Sequence, residues 1–493
     1  MDFEIPVSLS TVYFVGIKGT GTCALAELLH NSGLAVSGSD GSEVFYTDRI
    51  LQELDIPYYE SFAAEHIKSH IDLVIYSAAY SPETNPELIE AQKQGIPILK
   101  YTDALGAYSA QFDSAGIAGV HGKTTTTAIA GTLIRGAGLP AQVLAGSAVT
   151  SFGGHSTLIM GNKYFIAETC EYRRHFLAFH PRHIILTAVE SDHQDYFPTY
   201  ESIRDAFMEY ARLLPENGEL IYCADDPGAC EVAALLQKER QDIQYIPYGF
   251  SAEGDFKITS YTVENETALI KLSGFPAVLR LKIPGRHLAL DTAAAFALTC
   301  SFLKTEYRND SGGDGSIWNT KRQENVVRAL AEFRGSKRRS EILGTAGGIL
   351  FMDDYAHHPT AIHTTLEGLK SFYPLKRLVV SFMSHTYTRT AALLDEFAAS
   401  FECADVLILH KIYASAREEY HGGVNGKTLF EKIGGLFAGK ELADNIYYID
   451  EPLDTVDLLK KLLAPGDLFI TMGAGNNWPL GEALFNYFKE AAK

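Results

Sequence analysis

The chain has 493 residues, 46% hydrophobic and 21% charged, with a formal net charge of −19. That length calls for about three domains with cores of their own, and the acidic balance argues against non-specific binding to nucleic acid or an anionic membrane. Six dispersed cysteines without a CxxC pair, no basic-then-apolar leader and no run of 18 apolar residues together predict a cytoplasmic protein with reduced thiols and no membrane insertion.

Residues 1–111 form the first predicted domain. Strands are expected at 12–16, 35–38, 73–77 and 96–99, with helices at 23–31 and 86–94. Such alternation predicts a parallel sheet wound on both faces. Between the first strand and the first helix lies Gly16-Ile17-Lys18-Gly19-Thr20-Gly21, a Rossmann-like turn for an anionic group, with Asp40 near the place of a ribose-binding acid. Lys18 stands where the dinucleotide fingerprint has its second glycine, so the turn does not specify a nicotinamide cofactor. Lysine at such a place either adds a contact to a diphosphate or points to solvent.

Residues 112–336 form the second. Gly119-Val120-His121-Gly122-Lys123-Thr124-Thr125 follows an apolar stretch and opens a helical segment, 128–136. Backbone N–H groups at a helix start face an anion, Lys123 adds charge, and Thr124 reaches a phosphate-bound Mg2+. The loop is the shorter Gly-x-x-Gly-Lys-Thr form, since Ile117 occupies the place of the usual first glycine. Buried strands are expected at 164–167, 184–189 and 220–223, and antiparallel strands within 256–281. Glu168 and His193 follow two of these strands, where an open parallel sheet faces its ligand crevice, so both can meet Thr124 around Mg2+ on a nucleotide triphosphate. Residues 309–318 read as a polar, glycine-rich surface loop.

Residues 337–493 form the third, with strands expected at 349–352, 378–382, 406–409 and 468–472. Other polar clusters carry less. His155, His175, His180 and His183 fit no zinc spacing, Cys170 reads as a small buried filler behind the strand end in preference to a reactive thiol, and the basic run 172–175 either touches substrate anions or is a solvated turn.

Taken together, the stretches Phe14-Val15-Gly16-Ile17, Ser37-Gly38-Ser39-Asp40, the phosphate loop, Glu168-Thr169-Cys170-Glu171, Asp192-His193, Pro284-Gly285-Arg286-His287, Arg338-Arg339, Asp353-Asp354-Tyr355-Ala356-His357-His358-Pro359-Thr360 and His385-Thr386-Tyr387-Thr388-Arg389-Thr390 resemble the Mur ligase family over nearly the full length. The resemblance implies an α/β, three-domain architecture: a Rossmann-like N-terminal domain, a central P-loop ATPase-like domain and a C-terminal Rossmann-like domain. It implies ATP-dependent amide formation in peptidoglycan assembly, most similar to the branch that joins L-alanine to UDP-N-acetylmuramate, by a monomer or weak homodimer. Lys123 would hold the β- and γ-phosphates, with Thr124, Glu168 and His193 on Mg2+. His287 would lie near adenine, Asp354 at the ribose, and Arg339, with Arg338, would bridge to the phosphates. Tyr355, His357, His385 and Arg389 would line the alanine site. Gly16 to Gly21, with Ser39, Asp40 and Ser77, would receive the UDP part.

The chain departs from the family's pattern at Leu288 and Asp291, where an amide is expected near adenine, at Thr386, where arginine is frequent, and at Arg204, where some branches carry a carbamylated lysine. Other readings are a murein-peptide recycling ligase of the same fold, a nicotinamide-dependent oxidoreductase using the first domain, and a non-catalytic nucleotide switch. Either His357 or His193 could assist deprotonation of the amino acid.

Overall fold

A computed structural model describes residues 9–193, 196–311, 317–414, 418, 420 and 422–491. The chain divides into two compact units, one made of Met1–Val189, Arg204–Glu253 and Ala294–Val326, the other of Glu190–Ile203, Gly254–Ala293 and Val327–Lys493.

The first unit holds two sheets. One has five parallel strands in the order Tyr58–Tyr59, Ala35–Ser39, Thr11–Val15, Leu73–Tyr76, Ile98–Lys100. The order in which strands are added reverses at Thr11–Val15, so the turn at Gly16 opens at the switch point where such sheets bind ligands. The central strand, Thr-Val-Tyr-Phe-Val, is a β-branched and aromatic run whose last four residues are buried. The other sheet has seven strands, ordered Gln244–Tyr248, Glu219–Cys223, His183–Leu186, Asp113–Ala118, Tyr164–Glu168, Ala141–Val149, His155–Ile159, antiparallel only at the last pair. Register sets Ile117 opposite Glu168 and Ala118 opposite Leu186, so three strand ends stop at one level beside the phosphate loop.

The second unit carries the three-stranded antiparallel sheet expected within 256–281, made of Ile258–Val263, Ala268–Leu272 and Leu279–Leu281. It also holds a six-stranded sheet ordered Glu341–Ala346, Ile349–Asp354, Asp467–Met472, Arg377–Phe382, Val406–Leu409, Ile446–Tyr448. Ile349, Phe351, Val379, Ile408 and Phe469 make one face of that core, covered by Leu480 and Leu484 of helix Trp478–Ala491.

Two expectations change. The phosphate-loop helix begins at Lys123, not 128, because the four threonines lie inside it, and it stops at Gly138, whose φ of 73° no branched residue adopts comfortably. Helix His287–Ser311 continues into the expected loop at 309–318, of which residues 312–316 lie outside the described set; Trp318 stacks on Phe296 with ring centroids 5.1 Å apart. Within that helix the 21 residues His287–Tyr307 are long and apolar enough to span a bilayer by composition, but 83% of the apolar window is buried inside the protein, as a core helix requires.

Candidate functional site

The turn after the first strand is built from the inside. Asp40 accepts the Lys18 backbone N–H at 2.7 Å, the Gly41 N–H at 2.8 Å and the Tyr80 hydroxyl at 2.9 Å. Ser39, fully buried, donates to Glu87. Lys18 is neither solvated nor offered to a diphosphate: its side chain is 0% exposed and its ammonium meets Asp48 at 3.0 Å, Glu60 at 3.1 Å and the Glu43 carbonyl at 3.0 Å. Burial alone would lower the Lys18 pKa, but the Asp48 and Glu60 carboxylates outweigh it and raise it. Lys18, Ser39 and Asp40, expected as substrate contacts, are all bonded within the frame of the turn. What the turn leaves open is the start of helix Thr20–Asn31, which has no side-chain cap. Removing Lys18 strands the largely buried Asp48, so Lys18→Met is expected to cost about 3 kcal/mol, read as a lower unfolding midpoint that Lys18→Arg partly restores.

The phosphate loop follows strand Asp113–Ala118. Gly119 has φ 139°, and a Cβ there would sit 2.0 Å from the Thr187 hydroxyl, so only glycine lets the loop close onto the neighbouring strand end. Thr187 in turn donates to the Ala118 and His121 carbonyls. Gly122 caps the helix in the left-handed region and presents Lys123, with Thr124 buried in the first turn. The Lys123 ammonium is held by the Gly119 carbonyl at 2.5 Å and by the Glu171 carboxylate at 2.9 Å. Burial opposes this charge, and Glu171 more than restores it. Glu171 was not among the expected site residues; its spacing of three from Glu168 was the available signal.

Glu168 ends its strand and accepts the Gly146 N–H at 2.9 Å. A Cβ at Gly146 would lie 2.4 Å from that carboxylate, which explains glycine in an otherwise regular strand. Glu168 also borders a cavity of about 360 Å3 wholly within the first unit. Its walls bring together Gly19, Thr20, Gly21 and Ser77 from the first sheet with Glu168 and Cys170 from the second. Cys170 is thus exposed, not the buried filler expected. The four histidines form no cluster: His155 bonds Glu27 at 2.8 Å, and His183 lies between Asp113 at 3.0 Å and Glu219 at 2.9 Å.

The second unit holds the other expected residues. Arg389, 6% exposed, gives Nε and Nη2 to one oxygen of Asp192 at 3.1 and 2.7 Å and Nη1 to the His385 carbonyl at 3.0 Å. Burial would raise the Asp192 pKa, yet Arg389, with His193 and His357, holds the carboxyl well below the usual range. His193 has φ 53°, with its ring 3.7 Å from Asp192. His357 Nδ1 donates to the Tyr355 carbonyl at 2.9 Å, leaving Nε2 as acceptor. Burial, then Arg389, push the His357 pKa well below its ordinary value, so the ring is neutral; His385 shifts down for the same reasons. Arg338 and Arg339 both lie over the Tyr355 ring, 5.1 and 4.8 Å from its centroid. Arg338, expected to bridge to phosphate beside Arg339, donates to Asp353 at 3.0 Å and to the Gly473 carbonyl at 2.6 Å. Asp354 accepts the Ser340 and Ala356 N–H groups at 2.6 and 2.7 Å. His287 has a buried Nδ1 without a partner among the described residues, and burial lowers its pKa against the opposing Asp354 charge.

Residues 11–113 match the Mur ligase family catalytic domain, 117–299 the Mur ligase middle domain and 338–475 the Mur ligase glutamate ligase domain. The chain belongs to the Mur ligase family. A UDP-N-acetylmuramate–L-alanine ligase of Treponema pallidum is 50% identical over 484 residues, 98% of each chain. One from Borreliella afzelii is 40% identical, covering 98% of this chain and 100% of that one. The crystal structure of a UDP-N-acetylmuramate–alanine ligase from Thermotoga maritima shares the fold, with a TM-score of 0.73, 23% identity and coverage of 98% and 99%.

The departures of this Mur ligase from its family's pattern have structural settings. Leu288 and Asp291 are buried in the first turns of helix His287–Ser311. Thr386 meets the Thr388 hydroxyl at 3.1 Å. Arg204 is paired with Asp205 at 2.8 Å and Glu231 at 2.9 Å, a surface helix arginine with no acid–base role.

Proposed function

We propose that this Mur ligase joins L-alanine to the lactyl carboxylate of UDP-N-acetylmuramate, converting ATP to ADP and phosphate, as a step of peptidoglycan precursor synthesis. One observation carries the reading: in a chain half identical to a ligase of that name, the uncapped turn at Gly19–Gly21 and the strand-end Glu168 border a single cavity. A sugar nucleotide seated on the turn reaches the catalytic end of the P-loop sheet. Three domains, 1–111, 112–336 and 337–493, are the partition we adopt, supported by the family matches at 11–113, 117–299 and 338–475.

A carboxylate is a poor acylating agent. Transfer of the ATP γ-phosphoryl to it forms an acyl phosphate, the alanine amine attacks, and phosphate leaves. Two anions meet in the first step, so charge compensation dominates the catalytic demand. Lys123, with the N–H groups of Gly122 to Thr125, holds the β- and γ-phosphates, while the Val120 N–H is given to the Ala188 carbonyl at 2.9 Å and ties the loop to the neighbouring strand end. Glu168 keeps one carboxylate oxygen outside its Gly146 bond, and Thr124 stands at the start of the adjacent helix, an oxygen donor set that would hold Mg2+; His193 would be the third metal residue, directly or through water. Mg2+ there supplies neutralisation of phosphate charge. The orphaned Nδ1 of His287 is the adenine-side contact, Asp354 the ribose acceptor and Arg339 a phosphate contact. Tyr355, His385 and Arg389 shape the alanine site. His357, neutral with Nε2 open, accepts an N–H of the incoming amine, which favours it over His193. Nucleotide sugar and ATP place the reaction in the cytoplasm, in keeping with six unpaired cysteines.

The test is phosphate release from ATP and Mg2+ with UDP-N-acetylmuramate and, separately, L-alanine, glycine, L-serine or a murein tripeptide. L-Alanine is expected to give the fastest release. Release with the tripeptide alone would move the chain to the recycling reaction and sink the proposal.

A further inference from the structure

The cavity wall carries a cation that, among the described residues, no carboxylate pairs with. Lys100 ends strand Ile98–Lys100, stands at the cap position of helix Tyr101–Ser109 and lines the cavity wall. Its ammonium donates to His175 Nε2 at 3.3 Å, and among the described residues no carboxylate lies within ion-pair distance of it. This is unusual for the chain. With a net charge of −19 there are 61 acidic side chains for 42 basic ones, and the other two buried or half-buried lysines at the turn and the phosphate loop, Lys18 and Lys123, are each matched to a carboxylate. The nine-residue helix that starts at Tyr101 has no side-chain cap, so its open N–H groups reinforce the positive end of the cavity. Lys100 is the cationic side chain on a wall whose acid is Glu168, with the His175 imidazole beside it.

We infer that Lys100, held in place by His175, binds an anionic group of the sugar nucleotide directly. This rests on the reading that UDP-N-acetylmuramate fills the cavity. The substrate offers two sources of negative charge, the diphosphate and the lactyl carboxylate, and the same ammonium chemistry serves either. His175 acts as a positioning residue: a lysine donates only, so the Nε2 lone pair takes one of its three N–H bonds and leaves the other two for a ligand. The basic run 172–175 thus contributes through its last member; Arg174 is turned away, paired with Glu209.

The experiment measures dissociation constants of the full-length chain for UDP-N-acetylmuramate and UDP-N-acetylglucosamine, which lacks the carboxylate, with Mg2+ and a non-hydrolysable ATP analogue present. Wild type, Lys100→Met, Lys100→Arg and His175→Ala are compared. Lys100→Met is expected to weaken UDP-N-acetylmuramate binding about 30-fold, the range of a lost charged hydrogen bond, with Lys100→Arg close to wild type, His175→Ala intermediate and affinity for the ATP analogue unchanged. Weakening of both nucleotides assigns the contact to the diphosphate; weakening confined to UDP-N-acetylmuramate assigns it to the carboxylate. Equal affinities of wild type and Lys100→Met for both would overturn the inference alone. A wild type that binds neither would instead overturn the substrate reading on which it rests.

Discussion

Lys123→Ala is expected to slow phosphate release by about a thousand-fold or more while UDP-N-acetylmuramate binding survives within a few-fold. The ammonium is bonded to the Gly119 carbonyl of the phosphate loop, whereas the turn we propose for the sugar nucleotide belongs to the other sheet of the same unit. The substitution also leaves Glu171 buried without its cation. A carboxylate that has lost that ammonium repels incoming phosphates, so the loss has two sources: a missing positive charge and a less compensated negative one. Lys123→Ala with Glu171→Gln separates them. Removing the unmasked charge is expected to recover nucleotide affinity but not turnover. Measuring phosphate release and sugar-nucleotide binding on the same preparations decides the matter: simultaneous collapse of both in Lys123→Ala, with the fold intact by circular dichroism, would mean that the two nucleotide sites are misplaced.

Asp192→Ala is expected to do damage of a different kind. Arg389 gives two N–H groups to a single oxygen of Asp192, and both side chains are nearly inaccessible. Breaking such a pair from one side costs about 3–5 kcal/mol, because the surviving charge stays buried. Arg389 is also bonded to the His385 carbonyl, so its displacement disturbs the alanine site. The expected result is a lower unfolding midpoint together with a raised KM for L-alanine, the KM for UDP-N-acetylmuramate changing little. The pH dependence follows from the depressed Asp192 pKa. The pair's stabilisation is fully present above the unfolded aspartate pKa, ~3.9, and drains away as pH falls below it towards the lower folded value. Wild type should therefore lose stability on acidification below about pH 4 more steeply than Asp192→Ala. Identical acid unfolding curves for the two proteins would refute this account.

Much of this site was legible in the sequence because its elements are marked by rigid local chemistry. Glycines at 119 and 122 with a following lysine announce a phosphate loop, and buried runs such as Tyr164–Glu168 and Arg377–Phe382 announce strands whose ends matter. Ala141–Val149 was not legible: Ala-Gln-Val-Leu-Ala-Gly-Ser-Ala-Val has small residues where strands usually have large ones, because Gly146 makes room for Glu168. Partnerships were not legible either. Lys18 looks from sequence like a surface lysine or a phosphate ligand; only the fold brings Asp48 and Glu60 to it. The same holds for Glu171 with Lys123 and Asp192 with Arg389, where a motif shows the residue type but not the atom to which it is tied.

The two walls of the cavity come from sheets that are distant in sequence, yet side chains lace them together. His155, on the edge strand of the seven-stranded sheet, reaches Glu27 and Glu53 on helices of the five-stranded sheet at 2.8 and 3.5 Å, and Arg49 reaches the Gly154 carbonyl at 3.4 Å. The entropic cost of bringing these walls face to face is met when the chain folds, not when ligand arrives. Sugar-nucleotide affinity should then behave like that of a rigid receptor: insensitive to added crowding agents or viscosity, with association rates set by encounter and not by a conformational gate.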